Sequence, residues 1–462
     1  MWTYIHKDHL SGYLEKYPML TEFIDFISLL SMKDSIFLPR LFYKNFPHNN
    51  LVMYPGKKQI NPQPINITFT GTLREKQVKA VTSLYKTIND PKFLGGIGKM
   101  PPGFGKTVIS VFIASQLGLK TCVIIDNSQL IKQWIESFTM FSNLTLDDIG
   151  LIKQDIMTVE KPVVIASAQS LMSKMKKDFT KIFETIDIAR FGLVIFDEVH
   201  CTSSSEMFAK TSVLFRTKNI LGLSATPFQF GIAEILMKNT IGEVIYETNE
   251  YELTPKYYFI YYNSGLAKEP SGWKRKSDQA DVTIADRMSR LRDYIKSKSY
   301  YNSVIHKSIV YLNLITTYTT NLLKKDHRII IMCATKIQVQ IISKSLTDSG
   351  IEHRRFYGEE TIIDKDNDKV LVVTYSFCNK GFDMKTLSAL ILACPLSGKK
   401  GIIQVVGRIL RTFEGKNEPL VLDLIDLDFP LMFMPEVKRK KNTISEEFNN
   451  CQILEYNATG SK

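Results

Sequence analysis

The sequence predicts an α/β protein built from two tandem parallel sheets. Short apolar runs alternate with longer amphipathic stretches in the first half, as in TCVIID (121–126) and FGLVIFDE (191–198). The same alternation restarts at RIIIMCAT (328–335) and continues to PLVLDLID (419–426). Apolar runs separated by helices are typical of parallel strands that are buried on both faces, so each series predicts one α/β layer.

The length of the chain agrees with two domains. Its 462 residues are 44% hydrophobic and 23% charged, and this length exceeds what one ordinary core accommodates. The predicted regions are an N-terminal accessory region (1–70), a first α/β domain (71–250), a hinge or insert with a helical lead-in (251–326), a second α/β domain (327–435) and a basic, polar tail (436–462).

Charge and cysteine spacing limit the classes of partner. A formal net charge of +12 favours a polyanion, with nucleic acid as the leading candidate. No apolar run approaches the ~18 residues that a membrane span requires. Six cysteines without a CxxC pair argue against structural zinc, an iron–sulfur cluster or a disulfide framework. The N-terminus lacks the apolar core of a signal peptide, so we expect an intracellular, reducing compartment.

The stretch GKMPPGFGKTVIS (98–110) predicts a phosphate-binding turn, although Met100 stands where the full pattern has its first glycine. It runs into an apolar helix, which places Lys106 and Thr107 at the helix N-terminus. Backbone N–H groups there can surround phosphate oxygens, Lys106 can reach the β- and γ-phosphates, and the Thr107 hydroxyl can bind Mg²⁺. The predicted ATP contacts are Pro102, Gly103, Phe104, Gly105, Lys106 and Thr107.

An acidic pair ends a later apolar run, in FGLVIFDEVH. Asp197 and Glu198 should fall at the carboxyl edge of the sheet, where α/β proteins bind their ligands. Asp197 would hold Mg²⁺, and Glu198 would orient or deprotonate an attacking water molecule. The pair therefore predicts the hydrolytic half of a nucleotide site.

Four motifs, PPGFGKT, DEVH, SATP (224–227) and QVVGRILR (404–411), occur in this order across the two layers. Together they resemble the superfamily 2 helicases and translocases, in which a small or apolar residue commonly replaces the first glycine of the loop. The resemblance implies two tandem RecA-like P-loop domains with an ATP cleft between them. It also implies a nucleic-acid-dependent enzyme that hydrolyses ATP with Mg²⁺.

The resemblance implies roles for further residues. Gln404, Arg408 and Arg411 share one face if the segment is helical, and the two arginines are expected to meet the γ-phosphate and to stabilise charge in the transition state. Gln77 is expected to recognise adenine, with stacking by Arg74. The residues expected to couple the nucleotide site to nucleic acid are His200, Ser224, Thr226, Gly381 and Asp383.

Several stretches are expected to contact nucleic acid. NSQLIKQW (127–134) and IASAQSL (165–171) resemble first-domain elements that touch the backbone, although Asp-Asn stands at 126–127 where Pro-Thr is common. WKRK (273–276) and VKRKK (437–441) add basic clusters beside aromatic or apolar residues. The predicted contacts are Asn127, Ser128, Ser167, Gln169, Trp273, Lys274 and Arg275.

The DEVH, LxxQW and GRxLR elements are most similar to xeroderma-pigmentosum-B-type and phage recombination helicases. The short N-terminal region, with its IFLPRLFY segment (36–43), further resembles the helicases of large cytoplasmic DNA viruses, including transcript-release helicases. This similarity implies an ATP-dependent DNA helicase or translocase of 3′-to-5′ polarity, acting in viral transcription beside the transcription machinery or in DNA repair and recombination. A viral protein of this kind would act in the host cytoplasm or the virion. Two alternatives stay open, namely an RNA or RNA–DNA hybrid helicase and a non-hydrolysing transcription-complex adaptor.

Overall fold

The computed structural model divides into two units, residues 1–248 and residues 249–462. Each unit contains one large sheet with helices on both faces, in agreement with the tandem α/β prediction. The structure describes residues 2–18, 20, 31–32, 35–38, 41–54, 61–90, 92, 94–126, 128, 130–199, 202–217, 219–225, 232–266, 298–356, 367–375 and 384–458.

The large sheet of the first unit has eight strands. They are β5 (Gly96–Lys99), β6 (Thr121–Ile125), β7 (Ile149–Lys153), β8 (Ile156–Met157), β9 (Val163–Ser167), β10 (Leu193–Asp197), β11 (Asn219–Ser224) and β12 (Val244–Glu247). Their order in the sheet is β12-β5-β11-β10-β6-β9-β7-β8, and all pairs are parallel except β7 with β8. This order places β11 between β5 and β10. The three strands that lead into the PPGFGKT, SATP and DEVH motifs are therefore neighbours.

The apolar runs are continuous because both faces of the sheet are covered. In β6, Cys122 and Ile124 pack in one hydrophobic cluster, whereas Val123 and Ile125 pack in another. Alternate side chains point to opposite faces of a strand, so a strand between two helix layers needs apolar residues at every position. The covering helices are α3 (Glu75–Ile88), α4 (Lys106–Leu117), α5 (Leu130–Phe141), α6 (Ala168–Lys177), α7 (Phe179–Ile188), α8 (Thr202–Ser212) and α9 (Ile232–Thr240).

The accessory region forms a small antiparallel sheet of its own. Its strands β1 (Trp2–His6), β2 (Ser31–Met32), β3 (Ser35–Leu38) and β4 (Leu51–Tyr54) lie in the order β2-β3-β1-β4, beside the short helices α1 (Leu10–Lys16) and α2 (Phe42–Asn45). The region is fastened to α9, because the Leu41 N–H donates to the Asn239 carbonyl and the Asn45 amide donates to the Asn239 side chain, both at 2.9 Å.

The second unit contains a seven-stranded parallel sheet. Its strands are β13 (Lys256–Tyr262), β14 (Ile329–Cys333), β15 (Arg354–Phe356), β16 (Val370–Thr374), β17 (Ala389–Leu392), β18 (Leu420–Asp426) and β19 (Gln452–Asn457), and its helices are α10 (Ile309–Lys324), α11 (Lys336–Asp348), α12 (Lys399–Val406) and α13 (Pro430–Glu447). The strand order is β15-β16-β14-β17-β18-β13-β19.

Two segments differ from the sequence assignment. The strand β13 falls within 251–326, which was assigned to a hinge or insert, yet it pairs along its whole length with β18 in the second sheet. The segment 436–462, expected to be a polar tail, contains most of α13 and all of β19, which pairs with β13. β19 is an edge strand, and most of its side chains are exposed. Because the strand is held by backbone pairing and buries few side chains, its sequence needs no apolar run.

Among the described residues, no helix combines the length and the hydrophobicity that crossing a bilayer requires.

Candidate nucleotide-binding site

Three motifs meet at the carboxyl edge of the first sheet. The phosphate loop follows β5, Ser224 ends β11 and Asp197 ends β10, and these strands are parallel neighbours. The Met100 N–H donates to the Ser224 carbonyl at 2.9 Å, which ties the start of the loop to the SATP strand. The strand order alone thus assembles elements that are far apart in the chain.

Met100 shows why this loop does not need its first glycine. The methionine side chain is fully buried in the hydrophobic cluster that also contains Ala80 and Leu84. Its φ lies outside the left-handed region that favours glycine. The residue at this position therefore packs into the core instead of making a glycine-only turn.

The two later glycines of the loop are required by the backbone. Gly103 and Gly105 have φ values of 81° and 95° in the left-handed region. A Cβ added at Gly105 would overlap the side-chain amide nitrogen of Gln77. Helix α4 begins directly afterwards at Lys106, so the first N–H groups of the helix lack partners in a preceding turn and are available to phosphate oxygens.

Arg74 and Gln77 lie against this loop. The Gln77 side-chain amide donates to the Phe104 carbonyl at 2.9 Å, and its oxygen accepts from the Arg74 N–H at 2.9 Å. The Arg74 guanidinium donates to the carbonyls of Gly103 and Phe104. Both residues are thereby positioned beside the loop, and adenine recognition by Gln77 with stacking by Arg74 stays a prediction.

The acidic pair lies close to the loop lysine. The Lys106 ammonium is 3.8 Å from the Glu198 carboxylate and donates to the Met100 carbonyl at 3.4 Å. Glu198 has a φ of 55°, which few residues other than glycine adopt and which is found at functional sites. The structure thus brings Lys106 and Glu198 together across 92 residues of sequence.

Asp197 is a buried carboxyl group with an unusual environment. Burial and, to a smaller extent, the Glu198 charge raise its pKa to about 6, against the opposing effects of the Lys106 charge and a hydrogen bond from Trp134. A carboxyl group that is costly to ionise gains stability from a nearby cation.

These residues fit a magnesium–nucleotide complex. Lys106 and the loop N–H groups offer positive charge and donors for phosphate oxygens, while Thr107 and Asp197 offer the oxygen ligands that Mg²⁺ prefers.

Trp134 is a contact that the sequence analysis missed. The Trp134 indole N–H donates to the Asp197 carboxylate at 2.9 Å, and both side chains are buried. Trp134 lies in the apolar face of an amphipathic helix, where a large aromatic residue is expected to serve packing alone. Only the proximity of α5 to the end of β10 reveals the polar contact.

The described candidates for nucleic-acid contact lie at two helix N-termini. Ser128 is exposed, and its carbonyl accepts from the Ile131 N–H at the start of α5. Ser167 is buried and caps α6 by accepting from the Ser170 N–H, and Gln169 is exposed in the first turn of that helix. Their contact with nucleic acid stays a prediction.

In the second unit, the QVVGRILR segment differs from a continuous helix. Helix α12 contains Gln404 but ends at Val406, and a 3₁₀ turn (Gly407–Ile409) contains Arg408, so the expected α-helical spacing to Arg411 is wrong. Glycine at 407 disfavours continuation of the helix. Both arginines are half-buried.

A second cation lies beside Arg411. The Lys416 ammonium donates to the Arg411 carbonyl at 2.6 Å. Burial and, to a smaller extent, the Arg411 charge together lower the pKa of Lys416 to about 8. Arg411 and Lys416 thus bring two cationic residues together in the second unit, an arrangement that attracts anions.

The VKRKK cluster is engaged within the second unit. The Lys440 ammonium is almost fully buried and is 2.6 Å from the Asp423 carboxylate, while Arg439 pairs with Glu436 and Lys441 pairs with Glu455. The prediction that this cluster neutralises nucleic-acid phosphates is wrong for Lys440, because its charge is balanced inside the fold.

Part of the predicted site lies outside the described residues. These positions are Asn127, His200, Thr226, Trp273, Lys274, Arg275, Gly381 and Asp383.

Comparison with known proteins gives the family context. Residues 70–229 match the family model described as the type III restriction enzyme, res subunit. A protein of Acanthamoeba polyphaga mimivirus, named as an ATP-dependent RNA helicase, is 25% identical over 402 residues, which cover 84% of this chain and 70% of that protein. The XPB helicase/translocase subunit of general transcription and DNA repair factor IIH from Danio rerio is 30% identical over 203 residues, which cover 42% of this chain and 25% of that subunit.

A solved structure supports the architecture. S. cerevisiae Dbp5 bound to RNA and ADP BeF3 matches 83% of this chain and 89% of its own, with a TM-score of 0.53 and 14% identity. This likeness concerns the fold alone, and it confirms the prediction of two tandem RecA-like domains. The named relatives are helicases, so the resemblance found in the sequence and the expectation of an ATP-hydrolysing enzyme are both confirmed.

Proposed function

We propose that this chain, a superfamily 2 helicase that hydrolyses ATP, uses that hydrolysis to move along DNA. The observation that carries the proposal is the meeting of the phosphate loop, Lys106, Asp197 and Glu198 at one sheet edge, with Lys106 3.8 Å from Glu198. Hydrolysis at this edge supplies the free energy for directed movement. Transcript release or DNA repair and recombination are the processes that the resemblance favours.

We assign each residue of the site a role in ATP hydrolysis. The loop N–H groups and Lys106 would hold the phosphates, and the Thr107 hydroxyl and the Asp197 carboxylate would hold Mg²⁺, which when bound would supply positive charge to the phosphate groups. Glu198 orients the attacking water and accepts its proton. Gln404, Arg408 and Arg411 are proposed to act on the γ-phosphate, and the latter two would stabilise the charge of the transition state.

The coupling residues are proposed to report the state of the nucleotide. A hydrogen bond supports this role for Ser224, because its carbonyl accepts from the Met100 N–H at the start of the phosphate loop. A change in the conformation of the loop on hydrolysis would therefore displace the end of β11. His200, Thr226, Gly381 and Asp383 are proposed for the same role on the resemblance alone.

The experiment that tests the proposal measures ATP hydrolysis with single-stranded DNA, duplex DNA, RNA or no nucleic acid. We expect stimulation by DNA, and a loss of about 10²- to 10⁴-fold in Glu198→Gln with nucleic-acid binding retained. Lys106→Ala should lose hydrolysis and ATP binding together. Glu184→Gln, an exposed carboxylate on α7, is the matched control and should hydrolyse ATP at the wild-type rate.

Two results would contradict the proposed function. The first is hydrolysis by the wild-type chain that is equal with and without nucleic acid, and the second is a normal rate in Glu198→Gln. Strand displacement from substrates with 3′ or 5′ overhangs then tests the proposed 3′-to-5′ polarity, which requires displacement from the 3′ overhang.

An RNA or RNA–DNA hybrid helicase is the second candidate. The mimivirus relative, whose match covers 84% of this chain, is named as an RNA helicase, whereas the XPB match covers 42% of the chain. Motor domains that hold phosphate and sugar read little of the base sequence, so both substrates suit a basic protein. Stronger stimulation by RNA than by DNA would favour this candidate.

A further inference from the structure

Trp134, on helix α5, contacts the acidic motif at the end of β10. It is the fifth residue of α5, its side chain is 1% exposed, and its indole N–H donates to the Asp197 Oδ2 atom at 2.9 Å. The ring packs beside Phe138 on the same helix, with ring centroids 6.1 Å apart. Packing and hydrogen bonding thus hold the indole in one orientation.

The bond is of a strong type. An N–H that donates to a carboxylate forms a charge-assisted hydrogen bond, about twice as strong as a neutral one, and burial removes competing water. A tryptophan that needed only packing could satisfy its N–H with any nearby carbonyl group. Here the bond fixes the rotation of the Asp197 carboxylate, so the direction in which this group presents its oxygens depends on the position of α5.

Helix α5 begins at the segment expected to touch nucleic acid. The Ile131 N–H donates to the carbonyl of the exposed Ser128 at 3.3 Å, so the first turn of the helix is joined to this residue. An α-helix rises about 1.5 Å per residue, which places Trp134 about 6 Å along the axis from Leu130, the first residue of α5. A displacement of the first turn would therefore reach the indole through a short, rigid element.

We propose that Trp134 is a positioning residue that ties the Asp197 carboxylate to helix α5 and so links the Ser128 segment to Mg²⁺–nucleotide binding. The proposal rests on the proposed function only in taking Asp197 as a magnesium ligand and Ser128 as a nucleic-acid contact. Its consequence is that nucleic acid stimulates hydrolysis partly by holding α5 where the carboxylate is correctly turned.

The test is Trp134→Phe, which keeps an aromatic ring in the cluster and removes the N–H. Binding of a fluorescent ATP analogue is measured by anisotropy across a Mg²⁺ titration. We expect the half-saturating Mg²⁺ concentration to rise about tenfold, as loss of one charge-assisted hydrogen bond predicts, with Mg²⁺-free nucleotide binding unchanged. In an Asp197→Asn background the same substitution should add little, because the carboxylate it orients is already gone.

Phe138→Leu is the matched control, because it alters the same buried helix face without touching Asp197. It should lower thermal stability and leave the Mg²⁺ dependence at the wild-type value. A wild-type Mg²⁺ dependence in Trp134→Phe, or an equal shift in Phe138→Leu, would overturn the positioning role.

The link to nucleic acid has its own readout. At saturating Mg²⁺, the ratio of stimulated to basal hydrolysis should fall in Trp134→Phe and stay at the wild-type value in Phe138→Leu. An unchanged ratio in Trp134→Phe would overturn the link. If the wild-type chain shows no stimulation, the proposed function fails, whereas the shift in Mg²⁺ dependence is still measured by binding alone.

Discussion

At the residue scale, the phosphate loop is shaped by contacts that its own sequence does not contain. Gln77 fills the space beside Gly105, and Arg74 occupies two carbonyl groups of the loop. Both residues come from the start of α3, far upstream of the loop. The loop conformation therefore depends on glycine for its backbone and on α3 for its support.

Gly105→Ala should abolish tight ATP binding. The substitution would force a Cβ against the Gln77 amide and would place alanine at a φ of 95°. Gly350→Ala is the control, because Gly350 has a φ of 72° but open space around it, so it bears the backbone strain without the overlap. Titration of a fluorescent nucleotide checks the result, and normal affinity in Gly105→Ala would contradict the described packing.

A second residue-scale prediction concerns Asp426 at the end of β18. Burial raises its pKa to about 6, although its Oδ1 atom accepts from the N–H groups of Ser264 and Asp428. The folded chain therefore binds more protons than the unfolded chain between pH 4 and 6. The free energy of unfolding contributed by this group should fall as pH rises through that window, by on the order of 2 kcal/mol.

Asp426→Asn keeps an acceptor for both N–H groups and removes the titration. Urea denaturation of the full chain at several pH values should give a shallower decline between pH 4 and 6 in the variant than in the wild type. Identical slopes would mean that Asp426 ionises in the folded state as it does in water.

At the element scale, helix α13 is joined to the second sheet by a buried ion pair. The Lys440 ammonium and the Tyr257 hydroxyl both donate to the Asp423 Oδ2 atom, at 2.6 and 2.8 Å. Asp423 lies on β18 and Tyr257 on β13, so one carboxylate connects two strands and a helix. All three side chains are buried.

Lys440→Met should destabilise the second unit by about 3 to 5 kcal/mol, because it leaves the Asp423 carboxylate buried without its cation. Lys441→Met, one residue along, is the control. Lys441 pairs with the half-exposed Glu455, and its loss should cost under about 1 kcal/mol. Guanidinium denaturation of both variants checks the difference. Similar midpoints would show that the buried ion pair contributes no more to the free energy of unfolding than the exposed pair does.

At the scale of the whole molecule, the proposed motor needs both units, since the loop lies in the first and the arginines lie in the second. Arg408→Ala should slow ATP hydrolysis by about 10³-fold or more, because transition-state charge loses a partner. Binding of ATP by the first unit should persist. Arg439→Ala removes an arginine that pairs with Glu436 in the same unit and should hydrolyse ATP normally. Equal rates in the two variants would remove Arg408 from the proposed mechanism.

Much of the fold was predictable because burial on both faces leaves a mark in the sequence. The strands β6, β10, β14 and β16 coincide with continuous apolar runs, and the helix after the phosphate loop begins at Lys106 as its pattern indicates. The edge strand β19 was not predictable, because exposed side chains on a strand held by backbone pairing produce no such run.

The sequence by itself determined which chemistry this protein can carry out: the lysine, the two carboxylates and the glycines of a nucleotide site occur in a fixed order, and side-chain type sets what a group can donate, accept or bind. Only the tertiary structure decided which groups meet. Trp134 reaches Asp197, Gln77 supports Gly105, and Lys440 is withdrawn into the core. Each of these contacts joins residues that are neighbours through strand order and helix packing, and sequence spacing does not encode either one.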